Sequence, residues 1–176
     1  DNAALGAWMR TGADALATVL ESLPADGPTW HPFSIERQAW VWSRRQMMET
    51  AVHRWDAETA ALGSSDVDSR LAATGLAEYF ELGLPRVLQR EQVATPATSL
   101  HVHCTDDDLP TGSGEWIVWS EDGEYQLSAE HRKGDAALRG NAADLLLVLM
   151  GRADRSTLDI VGDRAAAAAW LDLPGW

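Results

Sequence analysis

The sequence predicts an α+β protein: a helical bundle over residues 1–92, then a small α/β domain over residues 97–176 with an antiparallel sheet and two helices. Two observations lead there. Up to Gln89 the apolar residues recur at spacings of three and four, the period of one helix face. From Leu100 the spacing falls to two, the period of a strand with one buried face. A length of 176 residues with 45% apolar content is enough to bury a real core.

The first helix is expected from Asp1 to Ser22, with Leu5, Trp8, Met9, Leu16, Val19 and Leu20 on one face. Pro24, Gly27, Pro28 and Pro32 break it. Ser34 is a good N-cap, and Glu36 puts negative charge in the first turn, so the second helix is expected from Ser34 to Leu62, ending at Gly63. A third helix runs from about Asp66 to Gln89, with Pro85 predicting a kink or break near Leu84. Residues 91–98 carry Pro96 and few large apolar groups, and they mark the boundary between the two parts.

Leu100, Val102 and Cys104 alternate with His101, His103 and Thr105 in a first strand. Trp116 to Ser120 form a second strand, Asp122-Gly123 a hairpin turn, and Tyr125 to Arg132 a third strand. Ala136 to Arg139 read as a fourth strand. Asn141, with Asp144 three residues on, caps a helix ending at Gly151. Leu158 to Val161 form a short strand, and Asp163 caps a last helix.

The formal net charge is -13, and one lysine, Lys133, stands among the basic residues. Nucleic acid and anionic membrane are therefore not expected as partners, because both recruit clustered cations. No apolar run approaches the length of about 18 residues that spans a bilayer, and no secretory pattern opens the sequence. The single cysteine, Cys104, excludes an intrachain disulfide and suits a reducing cytoplasm.

The chemistry-bearing segment is Met48-Glu49-Thr50-Ala51-Val52-His53-Arg54-Trp55-Asp56-Ala57-Glu58. Glu49 and His53 are four apart on a helix, so both side chains reach one point in space, as paired metal ligands do. Asp56, three residues further, is placed to accept from the ring nitrogen of His53 that faces away from a metal. The plainer reading of Glu49 and His53 is a surface pair, and two ligands fall short of the three or four that zinc takes. His101 and His103 are an i, i+2 pair on one strand face that could bind metal; the simpler reading leaves them in solvent opposite Val102. Cys104 reads as a small core residue. Arg139, Arg152 and Arg164 lie near turns where an anionic substrate could bind. There is no Ser-His-Asp set, glycine-rich phosphate loop or CxxC motif.

Residues 48–58 resemble the metal-helix signature of the mycothiol-dependent maleylpyruvate isomerase family, an actinobacterial branch of the DinB-like metal-binding bundles. Leu100-His101-Val102-His103-Cys104-Thr105-Asp106 with Gly114-Glu115-Trp116 is similar to the opening hairpin of that family's C-terminal domain. Lys133 to Gly140, Asp144 to Arg152 and Gly162-Asp163-Arg164 look like its later signature, so the resemblance covers most of the chain in order. The resemblance implies a DinB-like up-and-down bundle with three of its four helices present. It also implies a divalent metal, usually zinc, held by Glu49, His53 and a histidine of the first bundle helix, which would lie before Asp1. Mycothiol is the implied cosubstrate, activated as thiolate to add to a small electrophilic substrate in an isomerase or S-transferase reaction. Met48 stands where relatives often carry histidine. An incomplete bundle leaves apolar surface for self-association as a homodimer. Two other readings compete: a catalytically inactive binding or regulatory scaffold, and a small-ligand carrier with an apolar pocket between the C-terminal sheet and the helix Ala142 to Met150.

Overall fold

Asp1 caps the first helix: its Oδ1 accepts from the Ala4 N–H at 2.8 Å, and α1 follows over Asn2–Ser22. The structure is a computed structural model and describes residues 1–175. It divides into two compact units, Asp1–His53 and Arg54–Trp176. None of the residues of α1 is buried, and Leu5, Trp8, Met9, Leu16 and Val19 are all exposed.

The second helix, α2, spans Trp40–Leu62 and begins six residues later than Ser34 predicts. The reason is a competing set of backbone partners. Thr29 donates to the Arg37 carbonyl, Ala39 to Gly27 and Trp40 to Ala25, and Pro28 and Gln38 form an isolated bridge. Residues 37–40 therefore take backbone partners in the proline-rich loop, and the helix does not extend back beyond Trp40. Val41, Met48, Ala51 and Val52 are buried. The helix stops before Gly63, whose φ of 84° is the left-handed conformation that ends helices.

The second unit begins in the last turns of α2. Asp68 caps α3 (Ser69–Glu78), accepting from Arg70 and Leu71 N–H. The helix then widens into a π turn, Tyr79–Gly83, and resumes as α4, Leu84–Glu91. Pro85 lies in the first turn of α4, directly after that π turn, and has no N–H to donate back into it; the Phe80 carbonyl accepts from the Tyr125 hydroxyl instead. The predicted break is thus absorbed as a wide turn, one of the recognised ways around a proline's clash with the preceding turn.

Five strands follow: β1 Leu100–Cys104, β2 Glu115–Glu121, β3 Glu124–Ser128, β4 Ala136–Gly140 and β5 Asp159–Gly162. The turn between β2 and β3 has Asp122 at φ 53° and Gly123 at φ 86°, the positive pair that a tight hairpin requires. The sheet order is β3-β2-β1-β4-β5, and β1 and β4 run parallel. The expected antiparallel sheet is therefore corrected to a mixed one, with β1–β4 its one parallel pair among the described residues. The cause is the connection from β3 to β4. Ser128 pairs with Ile117, Ile117 with His101, and His101 with Ala137, so the end of β3 lies level with the start of β4. Three strand spacings of about 4.8 Å separate them, and residues 129–135 bridge that gap across the sheet without a helix.

Two helices close the other face, α5 (Ala142–Leu149), capped by Asn141, and α6 (Arg164–Leu171), capped by Asp163. A short 3-10 turn, Arg155–Thr157, precedes β5. α5 packs on α3 and β4, and α6 packs on β1, β4 and β5. Leu76, Leu100, Val102, Val118, Leu138, Leu145 and Leu146 are fully buried in this core. Each such side chain contributes roughly 1.5–3 kcal/mol by leaving water. Polar handles are satisfied too: the Tyr125 hydroxyl donates to the Phe80 carbonyl at 2.9 Å, and the Trp170 indole N–H to the Thr98 carbonyl at 3.1 Å. Among the described residues, no helix is long and apolar enough to cross a membrane.

Candidate functional site

Helix α2 carries the predicted pair. Glu49 Oε2 lies 3.2 Å from His53 Nε2, so the i, i+4 spacing does bring both side chains to one point. The other carboxylate oxygen of Glu49 is held by the Arg45 guanidinium one turn earlier. His53 is 64% exposed and Glu49 36%. A nitrogen and a carboxylate oxygen on one helix face suit a borderline cation such as zinc. Among the described residues, however, no third His, Cys, Asp or Glu groups with them. Met48, beside Glu49, is buried. Asp56 receives a two-pronged ion pair from Arg152, at 2.9 and 3.0 Å from the guanidinium nitrogens. That contact also accounts for Arg152, one of the three arginines that the sequence offers for an anionic ligand.

A four-donor group lies on the sheet of the second unit. His103 and Glu115 are directly opposed across β1 and β2, and His101 stands two residues along the same face of β1. The crossover 129–135 brings His131 over that face. Glu115 Oε2 is 2.9 Å from His101 Nε2, 3.1 Å from His103 Nδ1 and 2.5 Å from His131 Nδ1. One ligand atom from each of the four residues lies within 4.8 Å of every other. The rings meet edge to face, with centroids 5.1 to 6.3 Å apart.

The expectation that His101 and His103 face solvent is therefore corrected. His101 is buried and His103 half-buried, because the crossover covers this side of the sheet. Gly134 makes that approach close: a Cβ there would sit 3.0 Å from the His101 backbone nitrogen and 2.8 Å from the Ala136 backbone oxygen. The crossover is anchored at its far end, where Asp135 Oδ2 accepts from the Ser99 N–H at 2.7 Å and from the Ser99 hydroxyl at 2.8 Å. Those two bonds hold the Asp135 carboxyl below its ordinary range, the backbone bond most.

Electrostatics fix the roles within the group. Burial alone would raise the pKa of Glu115, but hydrogen bonds from His103, His131 and His101 outweigh it and draw the carboxyl down to about 2. Glu115 is thus an ionised acceptor, and each imidazole donates to it from the nitrogen that faces it. Burial pushes His101 below the usual imidazole range, against the raising pull of Glu115. Nearby Cys104 is buried, and desolvation, reinforced by Asp106 and Glu115, pushes its thiol up to about 12. It stays protonated at neutral pH and supplies no thiolate.

Residues 1–58 match the model of the mycothiol maleylpyruvate isomerase N-terminal domain, and residues 70–169 match that of the MDMPI C-terminal domain. No curated protein matches the chain. A crystal structure of sterol carrier protein 2 is similar over 58% of this chain and 83% of its own, at 16% identity and a TM-score of 0.33. That likeness is too low to carry an argument.

Proposed function

Because the chain belongs to the mycothiol maleylpyruvate isomerase family, we propose that it acts in metal- and mycothiol-dependent isomerisation or thiol S-transfer on a small electrophile. The observation that carries this reading is the Glu49–His53 pair, 3.2 Å apart on the part of α2 that lies within the matched N-terminal domain. In this reading Glu49 and His53 hold the metal, and Asp56 steadies His53. A bound divalent cation supplies the positive charge that keeps a thiol ionised at neutral pH. The only cysteine of the chain is buried and protonated, which fits a nucleophile delivered by a separate low-molecular-weight thiol. Arg45 holds Glu49 Oε1 and so steadies the carboxylate, leaving Oε2, the oxygen that faces His53, as the one that would meet a metal.

The test is turnover of an electrophile panel, maleylpyruvate included, with mycothiol present or omitted. Glu49→Ala and His53→Ala are each expected to lower thiol-dependent turnover at least about 100-fold, since even residues that merely orient ligands cost 10–100-fold when removed. Unchanged turnover in both variants would overturn the assignment. A scaffold without catalysis is the second reading, favoured by the Arg45–Glu49 contact and by a two-donor set; it predicts no thiol-dependent turnover with any member of the panel. Leu145 and Leu146, on α5 itself, are fully buried, which weighs against an open carrier cavity between that helix and the sheet.

A further inference from the structure

We propose that His101, His103, Glu115 and His131 form a separate metal site, a clasp for a zinc-class divalent cation that fastens the 129–135 crossover to the β1–β2 hairpin. It stands apart from the Glu49–His53 pair and does not depend on the function proposed for that pair.

Donor geometry is the first argument. Three imidazole nitrogens and one carboxylate oxygen lie within 4.8 Å of one another. Zinc bonds of about 2.0–2.1 Å in a tetrahedron put neighbouring donors about 3.3 Å apart. The His101–Glu115 and His103–Glu115 separations of 2.9 and 3.1 Å are already near that edge length. An ion therefore enters by a small outward shift of the carboxylate and of His131, whose side chain is 75% exposed.

Donor chemistry is the second. Neutral imidazole suits zinc, cobalt and nickel, whereas magnesium and calcium demand mostly oxygen. Three rings aimed at a single oxygen also leave the second nitrogen of each ring free to lean on its surroundings while the first binds.

Preorganisation is the third. Two of the donors are locked by strand register, His103 opposite Glu115, and His101 is fixed on the same strand. The fourth arrives on a segment that is tied down by Asp135 and Ser99, and that approaches β1 closely only because Gly134 has no side chain. Three segments distant in sequence thus converge with their ligand atoms facing inward. Four protein donors fill a tetrahedral shell, which is the pattern of a structural rather than an open catalytic site. The ion would cross-link the parallel connection to the hairpin it passes over. Binding to the folded state alone then adds stability in proportion to the logarithm of ion concentration.

The experiment is Co2+ titration of the metal-free full chain carrying Glu49→Ala and His53→Ala, followed by Zn2+ competition and thermal unfolding with and without Zn2+. One Co2+ per chain with the intense visible bands of a tetrahedral site, displaced by Zn2+, is expected, with a rise in Tm and slower amide exchange over 129–135. Adding His131→Ala, which alters an exposed side chain, should weaken binding at least about 100-fold and abolish the Tm rise with circular dichroism unchanged. Adding His103→Gln instead should do the same while keeping a hydrogen-bonding group opposite Glu115. No stoichiometric binding in the folded Glu49→Ala/His53→Ala background overturns the clasp and leaves the helix-pair reading to its own turnover test. Equal affinity with and without His131→Ala and His103→Gln overturns it as well.

Discussion

Cys104 closes β1 with 8% of its surface exposed, and its thiol is pushed up to about 12 from an ordinary value of 9.0 by desolvation first, then by Asp106 and Glu115. That rise leaves far less thiolate than in an open chain at any pH below 9. Alkylation by iodoacetamide is accordingly expected to be at least about 100-fold slower in the native protein than in urea. The sign follows from the raised value: the native rate should go on rising past pH 9, where the unfolded rate levels off. Native labelling as fast as unfolded labelling would show the thiol to be open. At this scale the sequence revealed half of what matters. Periodicity put Cys104 on the core face, and spacing found Glu49 with His53. It found His101 and His103 as a pair but not their partners. The available signal was a His-x-His strand followed by a glutamate at the head of the next strand, Gly114-Glu115-Trp116. Opposing Glu115 to His103 needs the register of the hairpin, and the polar loop 105–114 is too long for turn type to set that register.

Local chemistry settled most of the elements. Asp1, Asp68, Asn141 and Asp163 all cap helices with side-chain oxygens, and Asp122-Gly123 makes the hairpin turn. The second helix starts later than Ser34 predicts, because Ser34 has the right chemistry for a cap but residues 37–40 have backbone partners in the loop 25–29. The crossover is the element no local signal could disclose. Its course depends on β4 pairing with β1 rather than with β3, a choice made by burial of Leu138 and Ala136 in the core. Gly162, at the end of β5, tests how tightly that course is held. Its φ is 89°, and a Cβ would come within 2.5 Å of the Asp135 oxygen and 3.3 Å of the Ala136 Cα. Gly162→Ala therefore combines left-handed strain of about 1–2 kcal/mol with a backbone clash, and is expected to destabilise by roughly 2–4 kcal/mol in urea unfolding. Gly151→Ala, with φ 70° and open space around it, carries the strain alone and should cost about half as much. Equal losses in the two variants would mean that Asp135 and the crossover give way freely.

At the scale of the whole molecule, the α+β order of helices first and sheet second was legible because hydrophobic period changes near residue 97. The compact units divide elsewhere, between His53 and Arg54, inside α2. Periodicity reports which face of a helix is buried but not which neighbour buries it, so the turns of α2 after His53 could not be assigned to the second unit in advance. The contact that ties them there spans 96 residues of sequence: the Arg152 guanidinium, just past α5, grips both oxygens of Asp56. Both side chains retain some solvent, at 23% and 37% exposure, so screening reduces the worth of the pair to about 1–2 kcal/mol even with two-pronged geometry. Asp56→Asn and Arg152→Met should each lower stability by about that amount. The double variant should lose little more than either single, because the two side chains act through one bond. That cycle also separates the two roles open to Asp56. If it serves the ion pair alone, Arg152→Met and Asp56→Asn have the same small effect on thiol-dependent turnover. If Asp56 also orients His53, Asp56→Asn depresses turnover by 10-fold or more beyond Arg152→Met, at matched stability.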